Sequence, residues 1–264
     1  MSLVRTACLL VCAALLVLPA SVPTAGAQET DGPASTDTSD GLAALDGSTL
    51  GPATLRYENT VSLGPRSVDR PTTRTLTAVM HEGTSAWQVV DAVQGGVQAD
   101  TLVLDRASLR PLQRRVGGQA LIQLTFDSMS VRGTLSMGMQ TREVQQDFDR
   151  PVLASTANME VALAALPLEP DYAARIPVYQ LQQQGVGTTT VRVTGTETVE
   201  TPAGTFDTYV LETTSDGPGP SGTIYVRREA PHHLVQADLE VSAGGQNATA
   251  TKTLRALSTE DGGS

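Results

Sequence analysis

Histidines, clustered carboxylates and methionines are the residues of this chain whose types and spacing could do chemistry. His232 and His233 are adjacent, so on a strand they point to opposite faces and cannot close on one metal ion. They follow Pro231 and belong in or near a turn, while His81 beside Glu82 falls at a strand end. All three read as structural or solvent-facing, and no metal site is expected. Glu143, Asp147 and Asp149 would share a strand face, the last two roughly 6–7 Å apart, near the separation used by a glycosidase's acid pair. Arg142 and Arg150 lie beside them, so a neutralised, solvated edge is the plain reading and a carboxylate-dependent hydrolase the alternative. The G-x-S-x-G elbow, H-E-x-x-H, phosphate-loop and dinucleotide fingerprints do not occur. Asp37 to Gly41 lacks the spacing of a calcium loop. The expectation is a non-enzyme with no catalytic residue and no cofactor.

The apolar candidates are more suggestive. Met129, Val131, Leu135, Met137 and Met139 would share one strand face, with Ser128, Ser130, Arg132, Thr134 and Ser136 on the other. Met159 and Leu163, on a short helix, could meet that face. Methionine adapts to irregular partners, so these seven residues could line a concavity for a lipid or other apolar small molecule. The same pattern also serves as plain core filling where a helix meets a sheet.

The elements that must position these residues are mostly strands. Leu55, Tyr57, Val61 and Leu63 alternate, and so do Val235, Ala237, Leu239 and Val241. Between them run Thr72 to His81, Ser85 to Val93, Val97 to Asp105, Leu112 to Val116, Ala120 to Phe126, Ser128 to Met139 and Thr141 to Phe148, with Thr249 to Leu257 closing the chain. Strands at about 8–12-residue spacing with glycine-bearing turns predict an all-β, antiparallel meander. Val191 to Glu212 reads as a hairpin: Thr201-Pro202-Ala203-Gly204 breaks two alternating runs, and Gly204 can take the positive φ such a turn needs. Ser155 to Leu166 alone carries helical spacing, with Ser155 or Thr156 as N-cap and Pro167 as the stop. Its apolar side must bury against a curved sheet, covering one mouth or face.

Residues 1–27 read as a signal peptide: Arg5, an apolar run from Leu9 to Leu18, and Ala25-Gly26-Ala27 before Gln28. That run is shorter than the roughly 18 residues a spanning helix needs, so no integral membrane protein is expected after cleavage. Cys8 and Cys12 leave with it, and the exported chain must fold on its core without disulfides. Residues 28–53, rich in Asp, Ser, Thr, Gly and Pro, read as a disordered linker, 54–257 as one β-rich domain and 258–264 as a disordered tail. The formal charge of −10 makes the chain a poor nucleic-acid binder. Lys252 is the only lysine, and aromatic residues make up 3%, too few for a stacking platform.

Three stretches carry a family resemblance. Asp105-Arg106-Ala107-Ser108-Leu109-Arg110-Pro111, the Val193 to Phe206 strand pair and Pro231 to Val235 resemble the D-x-x-[ST]-L-x-P, V-x-G-x-E-x-V-x-[TS]-P-A-G-x-F and P-x-x-L-V stretches of the exported bacterial family called domain of unknown function 3108. Leu166-Pro167-Leu168 fits as well, whereas Tyr225 stands where many members carry tryptophan. That family has no established activity, and its strand pattern is similar to the half-barrels that carry lipoproteins across the periplasm. The resemblance and the pattern together imply a strongly curved antiparallel sheet or open β-barrel of about ten or more strands with one short helix. Functionally they imply a periplasmic or secreted binding or carrier module for an apolar ligand, or alternatively an envelope assembly protein that pairs with a protein partner through its sheet edges.

Overall fold

Alternating sequence becomes a single sheet in the computed structural model, which describes residues 39–259 apart from 97, 119, 182, 218, 244 and 245. The strands are β1 (Ser39–Asp40), β2 (Ala53–Leu63), β3 (Arg66–Asp69), β4 (Thr72–His81), β5 (Thr84–Val93), β6 (Ala99–Asp105), β7 (Pro111–Gly117) and β8 (Ala120–Phe126). After them come β9 (Ser130–Met137), β10 (Gln140–Asp147), β11 (Ala173–Gln180), β12 (Gly185–Thr201), β13 (Gly204–Ser215), β14 (Ser221–Arg227), β15 (Leu234–Ala243) and β16 (Gln246–Thr259). Helix α1 (Thr156–Ala164) stands between β10 and β11. The fold is all-β: a curved 16-stranded sheet, ordered β1-β11-β12-β13-β14-β15-β16-β2-β4-β5-β6-β7-β8-β9-β10, with β3 beside β2. Every pairing is antiparallel except β1 on β11. The chain therefore runs two meanders, joined where β16 returns to β2.

Curvature has local causes. The register slips by one residue on β12 between Val193 and Gly195, on β16 between Leu254 and Ala256, and at the β6–β7 and β14–β15 pairings. Such bulges bend a strand and increase its twist. At Gly133 the backbones of β8 and β9 come so close that a Cβ would lie 1.9 Å from the Gln123 carbonyl oxygen. The sheet does not close by a β10–β11 ladder. Its ends approach across the 148–155 segment, where Leu153 bridges β11 by donating to the Pro177 carbonyl and accepting from the Tyr179 N–H. Tyr179 meets Phe126 edge-on at 6.2 Å and Phe148 at 5.5 Å.

α1 begins at Ser155, whose hydroxyl accepts from the Asn158 N–H at 3.5 Å, and stops before Pro167. The expectation of a helix laid by one apolar side on a mouth or face is corrected. From Asn158 to Leu166 every residue but Glu160 is buried, and a helix apolar all round belongs inside. Val161, Ala164 and Ala165 pack with Leu76, Trp87, Val89, Leu102 and Phe126 in one core. Met159, Ala162, Leu163 and Leu166 pack with Leu55, Tyr57, Ile176, Leu211 and Leu254 in the other. The helix is the shared wall of two cores and fills the concave side of the sheet.

The linker expectation fails over 39–53. Leu50 is buried, and Leu42 and Leu45 pack on the cores. Gly47 donates to the Ala107 carbonyl at 2.8 Å and accepts from the Trp87 indole at 3.0 Å. A few apolar residues inside a polar composition are enough to order the segment, because Leu42, Leu45 and Leu50 pack on the two cores. Thr259 still pairs with Ala53, so the expected tail starts two residues too early. The expected signal peptide lies outside the described residues.

Candidate functional site

A belt of charged side chains crosses the concave face, built from the same period-two pattern as the core. On β4, Thr72, Arg74 and Leu76 point inward, so Arg74 occupies a core position. Its register partner on β5 is Asp91, and the two make a bidentate pair, Nε to Oδ1 and Nη2 to Oδ2, both at 2.7 Å. Arg74 is 5% exposed. Its remaining Nη1 donates to Oε2 of Glu160 on α1 at 2.8 Å, and Nζ of Lys252 on β16 donates to the same oxygen at 2.7 Å. Lys252 also stands 4.4 Å from the centre of the Tyr57 ring, while the Tyr57 hydroxyl donates to the Leu234 carbonyl. Next along, Asp100 pairs with Arg114 at 2.8 Å. The helix thus contributes its one charged residue to a set otherwise carried by strands.

Electrostatics follow from that packing. Burial alone would raise the carboxyl of Glu160, but the Arg74 guanidinium and the Lys252 ammonium hold it below the ordinary carboxylate range. Asp91 is likewise lowered: burial opposes, and Arg74 outweighs it with help from Lys252 and Arg114. Burial works against the Arg74 charge, yet Asp91 and Glu160 keep it protonated well above the usual range. Burial also pushes the Tyr57 hydroxyl up.

A cavity of about 20 Å³ lies beside this belt, lined by Tyr57, Arg74, Glu160, Val161 and His233 among others. That is room for about one water molecule. His233 is 5% exposed, and its Nε2 has no hydrogen-bond partner among the described residues. Burial, with Arg227 and Arg74 nearby, lowers its imidazole to about 4. His233 also borders an outer cleft of about 360 Å³ formed with Gly51, Pro52, Arg227 and Pro231. His232 is buried too, with Nδ1 2.8 Å from the Arg227 carbonyl and its ring edge-on to Tyr209. Both imidazoles are therefore buried, and the solvent-facing option is excluded for the pair.

The seven sequence-expected apolar residues do not converge. Val131 is fully buried and Leu135 packs beside it in the first core, on the face shared with Ile122 and Leu124. Met159 and Leu163 belong to the second core. Met137 is half-buried at the end of β9, Met129 precedes that strand and is exposed, and Met139 lies in the β9–β10 turn, fully exposed. Neither the cavity nor the cleft is lined by any of the seven. The departure has two causes: β9 is shorter than the alternating run, and α1 turns Met159 away from it. Glu143 and Asp147 point outward from β10, and Asp149 lies beyond the strand, paired with Arg150 in solvent. The glycosidase-like pair does not form.

Arg74, Asp91, Glu160 and Lys252 escaped the sequence reading, although their signal was present. Arg74 holds an inward parity on an otherwise core-like strand. Glu160 is the one charge in an apolar helix, and Lys252 is the sole lysine. Among the described residues no three His, Cys, Asp or Glu side chains gather as a metal site. No helix among them is long and apolar enough to cross a membrane.

An open, curved antiparallel sheet wrapped on one buried α-helix among the described residues defines the structural class. Within it the chain belongs to the family described as protein of unknown function (DUF3108), whose model matches residues 58–251. No curated protein matches it. Among solved structures it is similar to a β-barrel-like DUF1849 protein from Brucella abortus, at 13% identity and a TM-score of 0.48, covering 80% of this chain and 99% of that one. A DUF1329 family protein from Desulfovibrio piger is 10% identical over 83% of this chain and 89% of its own, with a TM-score of 0.32. The hypothetical lipoprotein YmcC from Escherichia coli is 13% identical over 79% and 85%, with a TM-score of 0.32.

Proposed function

We propose that this chain is an exported, non-catalytic binding or carrier module whose apolar ligand enters the concave side of the sheet when α1 swings away. The observation that carries this reading is the helix itself. It is a nine-residue plug between two apolar walls, and displacing it would open a continuous lipophilic surface from Leu55 to Phe126. Its C-terminal end is tied by backbone bonds, Asp46 N–H to the Ala165 carbonyl and His232 N–H to the Ala164 carbonyl. Its first two turns reach the fold through side chains, Asn158 to the Leu109 carbonyl and Glu160 to Arg74 and Lys252. Before the cap, Leu153 is tied to β11 by backbone bonds as well, so the helix body between two fixed ends is what side chains alone hold, as suits a segment that moves out. Buried ion pairs are no better for stability than packed apolar residues of similar volume, so a charge set at this place fits a releasable contact better than a permanent one.

Met159 and Leu163 would then line the opened wall from the helix side, and Val131, Leu135 and Met137 from the sheet side, with Met129 and Met139 at its rim. The test is extraction of the protein purified from its native envelope, followed by mass spectrometry of the organic phase. A stoichiometric apolar species is expected, and a protein that carries none and takes up none when offered lipid contradicts the reading. Edge pairing with an envelope protein is the less favoured alternative. The free edge β10 carries Arg142, Glu143 and Asp147, charges that discourage strand addition.

A further inference from the structure

We infer that the ligand of this interior is an anionic amphiphile, one apolar chain ending in a singly charged oxygen acid, and that its acid group takes the place of the Glu160 carboxylate between Arg74 and Lys252. The inference rests on the binding reading proposed above and deepens it.

The belt is balanced only while the helix is docked. Arg74, Arg114 and Lys252 face Asp91, Asp100 and Glu160, three charges of each sign. When α1 swings out it removes Glu160 and leaves one positive charge in excess on a half-buried apolar wall. Arg74 keeps its bidentate Asp91 partner, so the excess is felt at Arg74 Nη1 and Lys252 Nζ, the two donors that had shared one oxygen. A singly charged acid restores the balance and reuses both donors. A neutral or zwitterionic head does not, and a cationic one adds to the excess. His233 supplies the second observation. It lines the same cavity, is 5% exposed, and has an Nε2 with no partner. In the tautomer with the hydrogen on Nε2, the neutral ring can donate to a second acid oxygen. From this end, the Leu55 and Leu76 side chains lead into the two cores, which places the chain of the amphiphile where α1 lies in the closed form. Glu160 is on this view an internal stand-in for the ligand's acid group.

The experiment titrates the full-length exported protein by calorimetry with oleate, oleyl alcohol, lysophosphatidylglycerol, lysophosphatidylcholine and acetate. Oleate is expected to bind about tenfold or more tighter than oleyl alcohol, and acetate not to bind. Lysophosphatidylglycerol matching oleate, and outrunning lysophosphatidylcholine, extends the site to phosphodiesters; a gain for oleate alone restricts it to carboxylates. Lys252→Met should lower the ratio of oleate to oleyl alcohol affinity, because it removes one of the two donors that meet the acid while Arg74 remains. Glu160→Gln, which withdraws the carboxylate that holds α1 down, should tighten oleate and oleyl alcohol by a similar factor and leave their ratio unchanged. Should Lys252→Met fail to fold, the wild-type head-group series decides the matter. Equal affinity for oleate and oleyl alcohol overturns this inference and leaves the binding reading intact. Failure of every chain-bearing probe to bind overturns both.

Discussion

His233 is held neutral in the interior, and that sets a sign for its contribution. Its folded value of about 4 lies below the unfolded value of about 6.5, so between those limits the unfolded chain binds more protons. Stability should therefore be full above about pH 6.5 and fall as the pH drops towards 4, by on the order of 3 kcal/mol. Thermal unfolding at pH 7 and pH 5 should show a smaller drop for His233→Gln than for the wild type. Equal drops would mean that the imidazole is not buried as described. Glycines give a second residue-scale test. Gly204 takes φ 129° at the end of the two-residue Pro202-Ala203 connection, as the hairpin reading required. An added Cβ there meets nothing nearer than 4.0 Å, so Gly204→Val should cost about 1–3 kcal/mol through backbone strain alone. Gly133→Val adds a backbone collision to its φ of 156°. Urea midpoints should rank it well below Gly204→Val. Turn glycines such as Gly204 are readable from sequence because the requirement is local. Gly133 is not, because its requirement is set by a neighbouring strand.

α1 was readable as a helix and misread as a cover. Apolar spacing reports that a stripe is buried, and here alanines fill the remaining sides, a burial that period alone does not distinguish from exposure. Strand β11 was missed for the opposite reason. Pro177 interrupts its pattern, and proline is tolerated in a sheet where a strand lies at an edge; β11 is held there by the short β1 and by Leu153. Arg74, Glu160 and Lys252 each stand out in the sequence, but their contact does not, because they lie far apart in the chain and only the curl of the sheet brings them together. Two expectations follow for the element. Glu160→Ala leaves two buried cations short of a partner and should cost about 3–5 kcal/mol in denaturant unfolding. Because Glu160 and Asp91 both titrate below the ordinary range when folded, their contribution is present above about pH 4.5 and is lost as the pH falls through their folded values. Acid should therefore loosen α1 before it melts the strands. Near-ultraviolet signals should be lost at a higher pH than far-ultraviolet strand signal in the wild type, with the gap narrowed in Glu160→Gln.

At the scale of the molecule, one helix joins two cores that the two meanders build separately. Cores sharing a wall should unfold together at neutral pH. Trp87, the only tryptophan and fully buried in the first core, reports on one of them, and far-ultraviolet circular dichroism reports on the whole sheet. Coincident urea transitions are expected, and an earlier loss of Trp87 fluorescence would show that α1 does not couple the halves. Sheet class was legible because period-two alternation survives in most segments, and the helix because its spacing differs, whereas β1, β3, β11 and β14 were not. The order of residues 39–53 was not, because composition dilutes the few anchors, Leu42, Leu45 and Leu50, that hold it. The most direct measurement is hydrogen exchange of residues 156–164 with and without saturating oleate. Faster exchange in α1 on binding, with β4, β5 and β16 unchanged or slowed, is the result expected of a plug that makes way for a ligand. Binding with α1 protection unchanged would contradict that mechanism, and the concave side of the sheet would then be a closed core.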